Sequence, residues 1–527
     1  MSTPAESNES LIKEPPHTMG GIVKYLGPGL IIAATIVGSG ELIATTAVGA
    51  EAGFLLLWLI IIGCVIKVFA QVEFGRYSII NGKGTLKGLD EVPGPRWHVN
   101  WIIWYWLIMF VASLAQLGGI VGGVGQALTI HRPITESGKI ANHYQDLQVR
   151  QKVTAGLLGR YDPDDPTAIP HEEERVAELR AQSQVIETEL AALSEKDLNV
   201  VSHDDLIWAT LITAVTIVLL VLGRYGIVQA VSTILVAGFT FLTIGNLVHL
   251  QTLPEWRVTW ADLLSGLSFQ VPSASNGRES GLATALMAFG IIGVGATELI
   301  QYPYWCLEKG YARWTGENDG SPEWAARARG WLRVLQWDAW CSMIVYTFAT
   351  VAFYLLGAAV LGRVGLNPEG QQMVRTLAEM YVPVFGSFAQ SIFLLGAFAV
   401  LYSTFFVANA SHARVCADAV YVFGLSSGSE EARRYWVRVF CVVFPLICLA
   451  TYAFIRAPKQ LVLVSGLMQA IMLPMLGAGA LYFRYRRSDK LLTPSIAWDV
   501  MLWLSFVGLL IAGGWAFFDT FSKVVSS

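Results

Sequence analysis

Eleven stretches of roughly twenty mostly apolar residues recur along the chain, at 24–51, 53–79, 99–129, 206–222, 226–248, 281–306, 331–361, 386–410, 437–455, 459–482 and 497–518. Each is long enough to cross the hydrocarbon core of a bilayer as a helix. A lipid-facing backbone can bond its own polar groups only within a helix or a closed barrel. The pattern predicts an all-α membrane protein with about 11 transmembrane helices. Composition agrees, since 54% hydrophobic against 14% charged residues, with a mean hydropathy of +0.51, is too apolar for a water-facing surface around one core. The net charge of -4 and pI near 6.1 leave no basic footprint, so no nucleic-acid partner is expected. Six scattered cysteines without a CxxC pair read as small buried residues, neither a disulfide framework nor a zinc site. Residues 1–23 lack the basic-then-apolar order of a cleaved leader and are expected to form a cytosolic tail ahead of a retained first span.

Charge in the short loops orients the bundle. With the N-terminus in the cytosol, the inner short loops carry seventeen Lys and Arg, and the outer ones with the C-terminus carry seven. This is the bias of the positive-inside rule, and it predicts a cytosolic N-terminus and an outer C-terminus in a plasma or inner membrane. Trp97, Trp101, Trp104 and Trp106 cluster where the third stretch would enter the bilayer, as an interfacial aromatic belt does.

Two stretches carry glycine-rich interruptions, Gly38-Ser39-Gly40 in the first and Gly290 with Gly293-Val294-Gly295 in the sixth. A glutamate follows each, Glu41 and Glu298. The two breaks lie five spans apart, and because five is odd the second set of five helices is inverted relative to the first. Residues 24–250 and 281–482 are thus expected to be two inverted five-helix repeats, with 483–527 holding the eleventh helix and the C-terminus. Paired broken helices in inverted halves point to a transporter's central site. A midplane acid costs about 2.5 to 3.5 kcal/mol on insertion scales, so Glu41 and Glu298 are expected to share a cavity beside unwound backbone. Bound by two carboxylates, free carbonyls and water, the expected ligand is a hard cation such as magnesium, calcium or manganese. The alternative has each glutamate bonding free amides at a helix break, as an anion at an N-terminus does. Gln301, one turn after Glu298, and Gln469 in the tenth span could each add a coordinating carbonyl or serve as interhelical glue. Lys67 and Gln71, with Glu73 and Arg76 close behind, read as one ion-pair network in the second span, or as a gate or built-in positive charge.

Residues 131–204 leave the membrane pattern. Val176, Leu179, Ile186, Leu190 and Leu193 follow a heptad seam with Ser183 as its polar position, and Ile140, Tyr144 and Leu147 form a second stripe. An outer helical hairpin with self-contained contacts, dispensable for the bundle, is expected. The acidic groups Asp162, Asp164, Asp165 and His171–Glu174 read as a solvated charged face.

The run from Gly27-Pro28-Gly29-Leu30-Ile31-Ile32-Ala33 through Gly49-Ala50-Glu51-Ala52-Gly53-Phe54 resembles the first helix of the Nramp divalent-metal transporters, which have a LeuT-type fold. Gly293 to Thr297, Ser403-Thr404 and Leu473-Pro474 echo the same family. The resemblance implies a LeuT-type 5+5 inverted repeat with broken helices 1 and 6 and transport by alternating access. Where the family carries Asp-Pro-Gly-Asn, this chain has Gly38, Ser39, Gly40 and Glu41; where it carries Met-Pro-His, this chain has Leu299, Ile300 and Gln301. The soft thioether and imidazole donors are replaced, which keeps the expected metal ligands, Glu41 and Glu298, on the oxygen side. The third stretch lacks the acids of the family's proton route. No HExxH, Walker or nucleophile-elbow motif supports an enzyme. No cofactor is expected beyond the transported cation, and no pattern assigns an oligomeric state. The competing reading is a sodium- or proton-coupled carrier of an organic solute on the same fold.

Overall fold

The computed structural model describes residues 12–161, 173–193, 201–222, 225–272 and 279–526. It is helical throughout apart from a two-residue antiparallel pair, Arg96–Trp97 with Val99–Asn100. Among the described residues nine helices are long and apolar enough to cross a membrane. The two remaining expected spans are the fifth, Tyr225–Leu250, and the sixth, which is split into Glu279–Phe289 and Ala296–Lys309. Neither half of the sixth reaches across a bilayer alone, because 11 and 14 residues rise only about 16 and 21 Å.

Burial sorts the helices into centre and rim. In the first span, Pro28–Ala52, 94% of the most apolar stretch is buried, whereas in the fourth, Asp204–Val221, and the ninth, Glu430–Phe454, the share is 28%. The first helix is therefore an axis enclosed by protein, and the fourth and ninth turn their apolar residues outward, as lipid-facing spans do. Around the axis pack the two halves of the sixth span, the seventh, Pro322–Leu356, the eighth, Ala389–Val422, and the tenth, Pro458–Tyr482, and the second span, Leu57–Asn81, packs behind them on the sixth and seventh. The seventh and eighth run beyond their expected bounds. The seventh opens on a capped turn, where Ser321 Oγ accepts from Trp324 N at 3.0 Å ahead of Pro322.

Polar clamps fix both ends of the first span. At its N-terminal end the Asp338 carboxylate of the seventh span accepts from Gly27 N at 2.7 Å and Gly29 N at 2.6 Å, and from Tyr302 Oη at 3.0 Å. It caps amides that a helix start leaves without partners. At its C-terminal end Glu51 pairs with Lys459 of the tenth span at 2.6 Å, both almost fully buried, and accepts from Thr284 at 2.6 Å and Asn367 at 3.0 Å.

The insertion forms the expected hairpin of Glu136–Gly159 and Glu173–Ala192, with Leu147, Val176, Leu179 and Ile186 buried. Asp162, Asp164, Asp165 and His171-Glu172 lie outside the described residues. Its contacts are not self-contained, which corrects the expectation of a dispensable appendage. Arg375, 3% exposed on the linker between the seventh and eighth spans, pairs with Asp146 at 2.9 Å and donates to Asn142. Gln372 donates to Gln148, and Leu157 and Tyr161 join the main apolar core. The heptad seam reported the pairing of the two helices and was silent about the opposite face of the first. The tryptophan cluster needs a similar correction: Trp97 and Trp101 are exposed, but Trp106 is buried among helices.

Candidate functional site

The two glycine breaks have different backbones. In the first span the chain widens into a π-helix over Val37–Thr45 and never leaves the helical region, so the expected unwound stretch is absent there. Such bulges recur at functional sites. In the sixth span Gly290–Gly295 has no regular structure, and Gly293 sits at φ +61°, a conformation that L side chains rarely adopt. Gly290 lies so close to Gly466 O and Ala470 N of the tenth span that a Cβ would collide with both.

Glu41 leaves the π-helix fully buried and crosses to the sixth span. Its Oε1 accepts from Gly293 N at 3.2 Å and its Oε2 from Thr45 Oγ1 at 3.0 Å, with Thr350 of the seventh span beside the carboxylate. Glu298 occupies the third position of the second half-helix, where its Oε2 lies against Gly295 at the start of that helix. Part of its surface stays accessible, unlike Glu41. Glu41 therefore holds an amide at the break, as the capping alternative anticipates, and both glutamates converge on one six-residue segment.

Oxygen atoms gather at Gly295. Glu298 Oε2, Gln469 Oε1 and Gly290 O crowd the place where a side chain would begin, the last two at 2.8 and 3.0 Å from it. Gln469 also accepts from Thr297 N at 3.0 Å and donates to Gln116 of the third span, Trp101–His131, at 2.9 Å. Glu298, Gly295 and Gln469 are thus brought together, and Glu41 reaches the same break at Gly293. Gly40 lies against Ile291 O of the break, and Gly38 faces Thr404 of the eighth span, whose hydroxyl a Cβ would strike. Gln301 turns away: its Nε2 lies 3.3 Å from His412 Nδ1 of the eighth span, and its Oε1 is buried without a partner.

The expected ion-pair network of the second span is also divided. Arg76 pairs with Glu73 at 3.2 Å, Gln71 makes no side-chain bond, and Lys67 reaches the break, donating to Phe289 O at 2.5 Å and Ile292 O at 2.7 Å. Lys67 lies nearly two helical turns before Glu73, and the two face different neighbours. Among the described residues no group of three or more His, Cys, Asp or Glu side chains stands ready for a metal. A cation here would take its remaining ligands from carbonyl and amide oxygens and from water.

Residues 29–137 and 196–519 match the family model described as natural resistance-associated macrophage protein-like, the gap between them falling within the insertion. The chain belongs to the Nramp family. Over 114 residues it is 28% identical to the divalent metal cation transporter MntH of Caldanaerobacter subterraneus, a stretch covering 21% of this chain and only about a quarter (26%) of that protein. A manganese transporter of Eremococcus coleocola, solved as a single-residue variant, superposes with a TM-score of 0.58 at 15% identity over 95% of this chain and 88% of its own. MhsT in complex with L-phenylalanine superposes with a TM-score of 0.53 at 14% identity over 95% and 99%. At these identities the two structures establish the LeuT-type fold.

This Nramp member has site features that single-residue reading missed. His412 lies buried between Gln301 and Ser113, with its Nε2 2.8 Å from Ser113 Oγ and its Nδ1 2.6 Å from Ala408 O. A histidine in an apolar helix was a visible signal. Asp338 and Thr350 gave a weaker one, a single polar residue each in the seventh span.

Proposed function

We propose that this protein carries a hard divalent cation across the bilayer by alternating access, with Glu41 and Glu298 as its charged ligands. The observation that carries the reading is the convergence at Gly295 of Glu298 Oε2, Gln469 Oε1 and Gly290 O, two residues from the amide that Glu41 holds. Oxygen from carboxylate, carboxamide and backbone is the donor set that magnesium, calcium and manganese take, and thioether and imidazole donors are absent from it. The names of the MntH relative and of the Eremococcus transporter support divalent metal as the cargo. Gly38 and Gly40 serve by letting the eighth span and the break approach the first helix. In reconstituted vesicles Glu41→Gln and Glu298→Gln keep shape and remove charge, and each should lower uptake of magnesium, calcium or manganese by about 100-fold, the loss of a charged ligand costing about 3 kcal/mol. Undiminished uptake in both variants would refute the assignment. A folded wild type that moves none of the three would favour the organic-solute reading.

The bundle is placed in a plasma or inner membrane with its N-terminus in the cytosol and the 131–204 hairpin outside. The bias of seventeen basic residues over seven supports this orientation. In a cysteine-free background an impermeant thiol reagent applied from outside should label a cysteine placed at Ser526 and spare one at Ser7; the reverse would invert the topology.

A further inference from the structure

Lys67 is fully buried, and among the described residues no carboxylate lies within ion-pair distance of its ammonium. Its ammonium instead donates to Phe289 O and Ile292 O and lies 4.6 Å from the centre of the Phe289 ring. In an unbroken helix Phe289 O would accept from Gly293 N, four residues on. Here the two halves of that bond are satisfied separately: Glu41 takes the amide and Lys67 takes the carbonyl. Two carbonyls and an aromatic face are how a protein holds a desolvated cation, and each unpaired carbonyl at membrane depth would be costly.

We infer that Lys67 is a tethered cation, its ammonium filling a carbonyl cage that would otherwise take a monovalent cation from solution. The inference rests on reading the break as a cation site and adds the residue that sets its charge. Two carboxylates and one ammonium leave one net negative charge, so a divalent ion entering beside them brings the group to net positive. Ammonium and cargo therefore compete, and Lys67 leaves the carbonyls as the cargo arrives and returns to them when it departs. An empty site closed by its own cation can reset without a second ion.

The test uses the full chain in detergent and reads thermal stability in sodium, potassium or methylammonium chloride against N-methylglucamine chloride at equal ionic strength. The wild type should unfold at the same temperature in all four. Lys67→Ala should unfold earlier in N-methylglucamine and recover, saturably and by about 3 °C or more, with at least one small cation, because a ligand that binds only the folded state stabilises it. Lys67→Gln, which keeps donors but loses charge, should show the same cation response and decides the matter if Lys67→Ala does not fold. A wild type that responds as strongly as the variants would overturn the inference, as would variants indifferent to every cation. Because the readout is stability, absence of divalent uptake would defeat the transport reading and leave this one standing, and a missing cation response would do the reverse.

Discussion

The two breaks share a sequence signature, glycines followed by a glutamate, and solve it differently. In the first span the helix widens without stopping, its backbone bonds stay largely within the chain, and the break contributes one enclosed side chain, Glu41. In the sixth span the helix stops for six residues and contributes backbone: a carbonyl at Gly290 that reaches the oxygen cluster, carbonyls at Phe289 and Ile292 that hold Lys67, and an amide at Gly293 that holds Glu41. What surrounds each glycine decides between the two. Gly290 is pressed against the backbone of the tenth span at Gly466 O and Ala470 N, whereas the nearest obstacle at Gly38 is the Thr404 hydroxyl, with Thr404 Cβ and Val400 O farther off. One helix supplies charge on a continuous rod, and the other supplies the polar groups that a rod would have consumed.

Substitution at the glycines should expose that asymmetry most strongly. Gly290→Ala forces a Cβ into Gly466 O and Ala470 N and should cost about 3 kcal/mol, seen as loss of monodisperse protein or a large fall in unfolding temperature. Gly38→Ala should cost only about 1 kcal/mol, and adding Thr404→Ala should recover part of it, since the hydroxyl is the nearest obstacle. Equal costs at the two positions, or no recovery, would erase the distinction between the breaks.

Next in size is the support that the tenth span gives the sixth. Gln469→Leu keeps volume but leaves Thr297 N unpaired and removes one oxygen from the Gly295 cluster. A buried amide left without an acceptor costs about 1 to 3 kcal/mol. Divalent-ion affinity measured by titration calorimetry should fall about tenfold, equivalent to 1.4 kcal/mol, and an unchanged affinity would remove Gln469 from the site.

The spans, the inverted halves, the hairpin seam and the pairing of each break with an acid were all legible, because apolar length, period and glycine clusters are local properties of the chain. The backbone at each break was not. Glycine permits both a π-bulge and an unwound turn, and the choice lies in the neighbours, Thr404 and Val400 for one and Gly466 and Ala470 for the other. Gln301 shared a helical face with Glu298 on paper, yet its bond goes to His412, 111 residues away. Lys67 was grouped with Glu73 and Arg76 by proximity along the helix, but its partners lie more than 220 residues on. Asp338 caps amides 311 and 309 residues distant, a relation no spacing rule reaches. Local pattern located the chemistry, and long-range partners determined its arrangement.

The central claim is that Glu41 and Glu298 form one site, and a double-mutant cycle on cation binding tests it most directly. Manganese or magnesium titrated into wild type, Glu41→Gln, Glu298→Gln and the double variant gives both stoichiometry and affinity. One ion per chain is expected, with each single change weakening binding by about 100-fold and the double change by less than the product, because two ligands of one ion are coupled. Two ions per chain, or a single variant that still binds one ion as tightly as wild type, would show two separate carboxylates and contradict the account.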